Sequence, residues 1–536
     1  MSPMSKSDRP GSSTIARAAS FEPLETRQFL SASAALSTAL DAPASDPALL
    51  HGPAKSGATL AARRADLLAA GLITQSEYDA STPVAQPADS GHTARPMVSG
   101  KTLALRRAAM GTYLNVGPDG RSLRYQNGTP FFYLADTAWH LFDKTNQKSA
   151  RVYLENRAAK GFTVIQAEVN ARFRAGNAFG EYAFIDNDPL RPNEDYFRHV
   201  DYVVNYANTL GMWVAFVPLD SSWAKQGLYT PAEAWQFGRF LGARYANAQI
   251  IWTLGGDIAG NDNPYGTTLY NELAAGIARG ATNRDQSKLT MQYFPTQNQA
   301  STNWFNAQPW LDLNIVVSGH SQNSPNYNLI TAQYANSPTR PVMDGESVYE
   351  DIPFGLNINQ PRAQAWDVRK SSYWSVFAGA HGVTYGHNNV WQFAQIVTDR
   401  NLASGRWDLS LDSLGAYSMN YLKRLINSRQ AGGRVPDQSV VTSSTLSGAA
   451  RIAATRGADS SYALVYTPTG ATVTVDLTKL SGAQVDVRWY NPANGKSAYV
   501  GRYAKSGTQT FTPPTTGTGN DWVLVVDDVS KNYGRP

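Results

Sequence analysis

The sequence predicts a closed (β/α)8 barrel, an α/β TIM-barrel architecture, followed by a small all-β sandwich. Three observations predict it. Between roughly residues 130 and 427 the chain reads as eight strand-then-helix units, and such alternation means βαβ units around a parallel sheet. An open doubly wound sheet would carry a glycine-rich phosphate fingerprint after its first strand, and none follows Pro130–Asp136, so the sheet is read as closed. After Gly432-Gly433 the texture changes to short alternating runs separated by Gly, Pro, Asn and Ser, the pattern of a β-sandwich. The expected domains are 1–96, a leader and spacer; 97–430, the barrel; and 431–536, the sandwich.

Order is expected to begin near Gly111. Thr112–Val116 and Ser122–Gln126, joined by Gly117-Pro-Asp-Gly120, make a hairpin. The barrel strands then fall at 130–136, 162–168, 212–218, 250–254, 289–293, 311–317, 341–344 and 380–385. Helical patterns lie between them, several closed by glycine or, at Pro231, opened by proline. Strands buried on both faces read as continuous apolar runs, and these do. In the tail, runs at 450–455, 461–467, 471–477, 484–490, 497–503, 508–512 and 521–527 are the sandwich strands.

Bulk properties narrow the function. At 536 residues the chain is long enough for a large core and an accessory module. The net charge of +5 is small, and its Lys and Arg are scattered rather than clustered, so no nucleic-acid partner is expected. Cysteine is absent, removing disulfides, thiolate metal sites and cysteine nucleophiles. No apolar run reaches the length of a membrane span. His381 and His387 do not match a metalloprotease spacing and no other ligand cluster is compact, so no metal or other cofactor is expected. No Gly-x-Ser-x-Gly elbow is present. Nothing in the chain specifies an oligomeric state.

In barrel enzymes the residues at the C-terminal strand ends build the active site. Ile250-Ile-Trp-Thr-Leu-Gly-Gly-Asp257 is a buried strand that breaks into two glycines and delivers one carboxylate; Arg340-Pro-Val-Met-Asp-Gly-Glu346 is a second. Two acids at strand tips are what glycoside hydrolysis requires. The other candidates, read as substrate-binding, are Asp136, Trp139 and His140 after strand one, Glu168 after strand two, Asp220 and Trp223 after strand three, Tyr293 after strand five, His320 after strand six, and Tyr385 and His387 after strand eight. Asp257 has a plainer reading as a turn-stabilising carboxylate. Asp344 competes with Glu346, because strand periodicity puts both on one face; Glu346 is preferred as the one nearer the mouth.

These stretches carry a resemblance. From about Thr112 to Arg424 the sequence resembles the apiosidase-like glycoside hydrolases, a (β/α)8 family. The matching stretches are Phe131-Phe-Tyr-Leu-Ala-Asp-Thr-Ala-Trp139, Ile251–Asp257, Trp304-Phe with Trp310-Leu-Asp312, Ser318-Gly-His320, Asp344-Gly-Glu346 and Thr384-Tyr-Gly386. The tail, with Trp489-Tyr-Asn-Pro-Ala-Asn-Gly495, looks like the small β-sandwich often fused to this barrel and labelled collagen-binding. The resemblance implies a retaining glycosidase with Asp257 as acid/base and Glu346 as nucleophile, acting on plant or algal cell-wall polysaccharide or its oligosaccharides. One departure is Tyr293-Phe-Pro295, where Tyr-His-Pro is expected. The competing reading is a non-catalytic carbohydrate-binding surface protein on a barrel scaffold; the presence of both acids argues against it. Phe21-Glu-Pro-Leu-Glu-Thr-Arg-Gln-Phe-Leu-Ser-Ala32 resembles the Leu-Glu-Pro-Arg-type sorting tag of exported bacterial proteins, which implies secretion or display at the cell surface.

Overall fold

The structure, a computed structural model, describes residues 110–170, 175–396, 402–429 and 433–536. The sorting-tag segment lies outside the described residues. Three two-residue strands come first: β1 (Asn115–Val116), β2 (Leu123–Arg124) and β3 (Pro130–Phe131), an antiparallel sheet. Pro130 and Phe131, expected at the start of the first barrel strand, belong to this sheet instead. Leu114, Leu123 and Phe131 reach into the barrel lumen beside Tyr133 and Trp213, and the Leu114 N–H donates to Thr290 Oγ1 at 2.7 Å. The small sheet therefore plugs the end of the barrel opposite the strand C-termini.

The barrel strands are β4 (Leu134–Thr137), β5 (Val164–Glu168), β6 (Trp213–Val217), β7 (Ile250–Leu254), β8 (Met291–Tyr293), β9 (Leu313–Val317), β10 (Val342–Glu346) and β11 (Gly382–Tyr385). They pair in parallel in chain order, and β11 closes on β4. The long helices around them are α1 (Gln147–Ala159), α2 (Glu194–Thr209), α3 (Pro231–Arg244), α4 (Thr268–Thr282), α5 (Asn326–Tyr334), α6 (Ala365–Phe377) and α7 (Leu414–Asn427). Between β8 and β9 stands only the four-residue helix Thr302–Phe305.

Side-chain alternation splits the core into two layers. On β6, Trp213, Ala215 and Val217 fill the lumen, while Val214 and Phe216 face the helices. On β4 and the residue before it, Tyr133 and Ala135 point inward and Leu134 outward. A polar layer crosses the lumen, where Gln292 Nε2 donates to Thr253 Oγ1 at 2.9 Å. Outside, α3 and α4 meet backbone to backbone. A Cβ on Gly242 would stand 2.3 Å from Ile277 O, and one on Gly276 would stand 2.1 Å from Trp235 O. Only glycine fits such a crossing, which locks the helix behind β6 to the helix behind β7.

The tail forms an antiparallel six-stranded sheet, ordered β12 (Arg434–Pro436), β13 (Ala453–Gly457), β14 (Tyr462–Thr467), β19 (Trp522–Asp528), β16 (Gln484–Asn491) and β17 (Lys496–Ala504). A two-stranded sheet, β15 (Val473–Asp476) with β18 (Thr508–Phe511), covers its far face around Val465, Val487 and Leu524. The near face lies on α6 and α7. Tyr466 stacks on Tyr373 with centroids 4.7 Å apart. Asp521 receives Arg369 Nε and Nη2 at 3.1 and 2.8 Å, both residues being buried. Trp374 Nε1 donates to Arg451 O at 2.9 Å. The tail is thus braced against the barrel by a stacked pair, a buried ion pair and hydrogen bonds.

Candidate active site

The C-terminal strand ends gather five carboxyls. Glu168 ends β5 with inward parity, three per cent exposed. The charges of Asp220, Asp143, Asp257 and Glu346 all reach it. Burial first, and then those four charges, push the Glu168 carboxyl well above the usual range. Among the described residues no group of three or more His, Cys, Asp or Glu side chains is arranged to hold a metal ion.

Asp257 is placed by the two glycines before it. Gly255 has φ +71°, and a Cβ there would stand 2.5 Å from the Tyr293 ring. A Cβ on Gly256 would stand 2.6 Å from Glu168 Oε1. Both neighbours therefore close on bare backbone, and the chain turns sharply. Asp257 itself has φ +51°, in the left-handed region that Asp enters more readily than bulkier residues. Strain of this kind is found at sites where a side chain must be aimed.

Glu346 is placed by a break in register. The pairing of β10 with β9 shifts between Asp344 and Glu346, so the two acids do not share a face as simple alternation predicts. Asp344 is buried toward the helices, accepting from Ser318 Oγ and Ser375 Oγ at 2.9 Å and from Asn326 Nδ2 at 3.1 Å. Gly345 allows the turn, because a Cβ there would stand 2.5 Å from Ile315 Cγ2. Glu346 Oε1 receives a hydrogen bond from His320 Nε2 at 3.0 Å. His320 Nδ1 is buried without a partner among the described residues, which assigns the proton to Nε2. The imidazole lies against Tyr349 at 4.5 Å. The Tyr349 hydroxyl sits among Glu346, Thr137 and Trp139, without a well-formed hydrogen bond among the described residues; burial and then the Glu346 charge raise its pKa well above that of a free phenol.

Of the residues expected from the sequence, Trp139, Glu168, Asp220, Asp257, His320 and Glu346 converge on this mouth. Trp139 stands in the upper lumen, edge-on to Phe294 at 5.2 Å. His140 is one layer back, its Nδ1 3.2 Å from both Asp143 carboxylate oxygens. Trp223 is buried against Phe184 and Tyr229, lining a small recess with Asp143, Asn170 and Tyr182. His387 caps the short helix Asn388–Trp391 by accepting from the Asn389 N–H at 3.1 Å; burial pushes its pKa down to about 3, so it stays neutral.

Three expected residues lie outside the cleft. Asp136 has the parity of Leu134 and faces α1, where its Oδ2 receives Tyr153 Oη at 2.5 Å and Arg157 Nε at 2.6 Å. Tyr293 packs behind the barrel on Phe305, and its hydroxyl donates to Ile258 O at 2.8 Å. Tyr385 also points outward and donates to Glu350 Oε2 at 2.6 Å. All three brace the strands that carry the site. Asp143 and Tyr349 were not anticipated; the only hint of Asp143 is its position three residues after His140.

Known proteins agree with this architecture. The model for the apiosidase-like catalytic domain matches residues 117–431, and that for a collagen-binding domain of a collagenase matches residues 435–527. A solved structure described as a glycoside hydrolase is 34% identical, with a TM-score of 0.73, covering 79% of this chain and 98% of its own. A glycoside hydrolase family 5 structure from Bacteroides vulgatus ATCC 8482 is 32% identical, with a TM-score of 0.73, covering 79% of this chain and 95% of its own. No curated protein sequence matches. The chain belongs to the apiosidase-like family and is a glycoside hydrolase.

Proposed function

We propose that this glycoside hydrolase works by retention, with Glu346 as nucleophile and Asp257 as acid/base, on plant or algal cell-wall polysaccharide. The observation that carries the reading is the pair of special backbone placements: a register break that turns Glu346 onto the His320 N–H, and a left-handed Asp257 after two glycines. In the first step the Glu346 carboxylate attacks the anomeric carbon while Asp257 gives its proton to the departing glycosidic oxygen. In the second, Asp257 takes a proton from water, the water oxygen attacks the same carbon, and the bond to Glu346 breaks. A donor held on Glu346 supports the carboxylate that must attack and then leave.

The family's name points to apiose-bearing pectin as the first substrate to test. Phe294 occupies the place where His is expected; it is fully buried beside Trp139 and Gly345 and gives that wall an apolar surface. Export is part of the proposal and rests on the segment Phe21–Ala32; a reporter fused to residues 1–96 that stays in the cytoplasm would refute it.

The test is a reducing-sugar assay on a panel of plant polysaccharides, with Asp257→Asn and Glu346→Gln alongside. Each substitution is expected to lower turnover by at least about a thousandfold while the far-ultraviolet circular dichroism stays that of the wild type. NMR of the first-formed product should show the starting anomeric configuration. An inverted product would remove the nucleophile role from Glu346.

A further inference from the structure

Glu168 is the one carboxyl of this cluster that ends a barrel strand and that the mechanism above leaves unused. Its place is built rather than incidental. The side chain has lumen parity at the end of β5, and its Oε2 is wholly buried with no hydrogen-bond partner among the described residues. Its Oε1 lies over Gly256, where a side chain would collide with it, immediately before Asp257; Val217 closes the same contact. Among the described residues, the charged groups that reach it are Asp143 behind β4, Asp220 after β6, Asp257 after β7 and Glu346 at the end of β10. A carboxylate in that place would be desolvated, without a hydrogen-bond partner among the described residues, and repelled by each of those acids that is ionised.

We propose that Glu168 is a substrate-positioning residue that works as a neutral carboxylic acid, donating a hydrogen bond to a hydroxyl of the sugar held between Asp257 and Glu346. This rests on the glycosidase reading of the site. A neutral acid has one donor and spare acceptor capacity, and a sugar hydroxyl complements both. A carboxylic acid kept protonated at neutral pH by its surroundings is an established way to place a donor in an active site. The raised affinity of Glu168 for its proton, caused by burial and the four acids, is consistent with that state. It also divides the labour among the carboxyls. Glu346 can be ionised for attack without a second full charge beside it, and the proton on Glu168 faces the ligand rather than bulk water.

The experiment uses Glu168→Gln, which keeps the shape and an N–H donor, and Glu168→Met, which keeps the volume and no donor. Two readouts are taken. The first is the infrared difference spectrum of wild type minus Glu168→Gln at neutral pH without substrate, which should show the C=O band of a protonated carboxyl. The second is kcat and KM on the substrate found in the polysaccharide panel. Glu168→Met should lose at least about tenfold in kcat/KM, and Glu168→Gln should recover most of that loss. Absence of the protonated-carboxyl band overturns the proposal whatever the kinetics show. So does a Gln variant as impaired as the Met variant, which would mean that the ionised form does the work, or a Met variant with wild-type kcat/KM. If the wild type cleaves nothing on the panel, the proposed substrate class fails on its own, and absence of the infrared band still overturns the proposal for Glu168.

Discussion

At the residue scale the site depends on a few side chains with single tasks. His320 has one N–H and gives it to Glu346. Replacing it with Ala removes that donor from the carboxylate and should lower kcat by about 10–100-fold with little change in KM; an unchanged kcat would mean that the contact is only packing. A second residue acts on stability rather than turnover. Asp312, just before β9, accepts the Met291 N–H at 2.8 Å, and burial pushes its pKa up to about 7. Because this folded-state value lies above the unfolded one, the folded protein binds more protons between about pH 4 and 7. Stability is therefore present at low pH and is lost as pH rises through that window. The full shift corresponds to at most about 4 kcal/mol, and the real figure is smaller because the side chain is only partly buried. Asp312→Asn, compared with wild type by urea titration at pH 5 and pH 8, should remove that slope.

At the scale of elements, the placement of the acids depends on how strands and helices pack. The crossing of α3 and α4 fixes the helices behind β6 and β7, the strands that lead to Asp220 and Asp257. Elsewhere in a helix, Gly→Ala gains roughly 0.5–1 kcal/mol. At Gly242 the new methyl would meet Ile277 O at 2.3 Å, and backbone cannot swing aside as a flexible side chain can. Gly242→Ala is therefore expected to destabilise by about 1–3 kcal/mol, read as a lower midpoint in denaturant at unchanged slope. A stabilised variant would mean that the two helices are free to move apart.

At the scale of the whole molecule the barrel and the tail share one apolar core. Leu464, Tyr466 and Val525, on the near face of the tail sheet, join the helix-facing layer of the barrel. One cooperative thermal transition is expected for the pair, and calorimetry would reveal two if the modules were independent. Asp521→Asn leaves the buried Arg369 guanidinium without its counter-charge. The expected cost is about 3–5 kcal/mol, lowering the midpoint of that single transition. The tail is thus a structural brace for α6, which follows the strand carrying Glu346.

The sequence by itself determined the architecture and supplied the two acids proposed for catalysis. Runs such as Ile250–Leu254 and Met212–Pro218 could only be buried strands, and Gly255-Gly256-Asp257 announced a sharp turn ending in a carboxylate. What it left open was direction. A barrel strand is apolar on both faces, so its pattern does not say which side chains enter the lumen. Asp136, Tyr293 and Tyr385 stand at strand ends as an active-site residue should, yet their parity sends them toward the helices. Alternation put Asp344 and Glu346 on one face, with Glu346 preferred only as the one nearer the mouth; the register break beside β9, permitted by Gly345, turns Asp344 toward the helices and gives that preference its physical reason. Asp143 comes from the one-turn helix Leu141–Lys144 and Tyr349 from the loop after β10, and both are aimed by contacts far along the chain. The composition of each strand is local information; the face that it shows to the cleft is decided by pairing with its neighbours, and that exists only in the folded molecule.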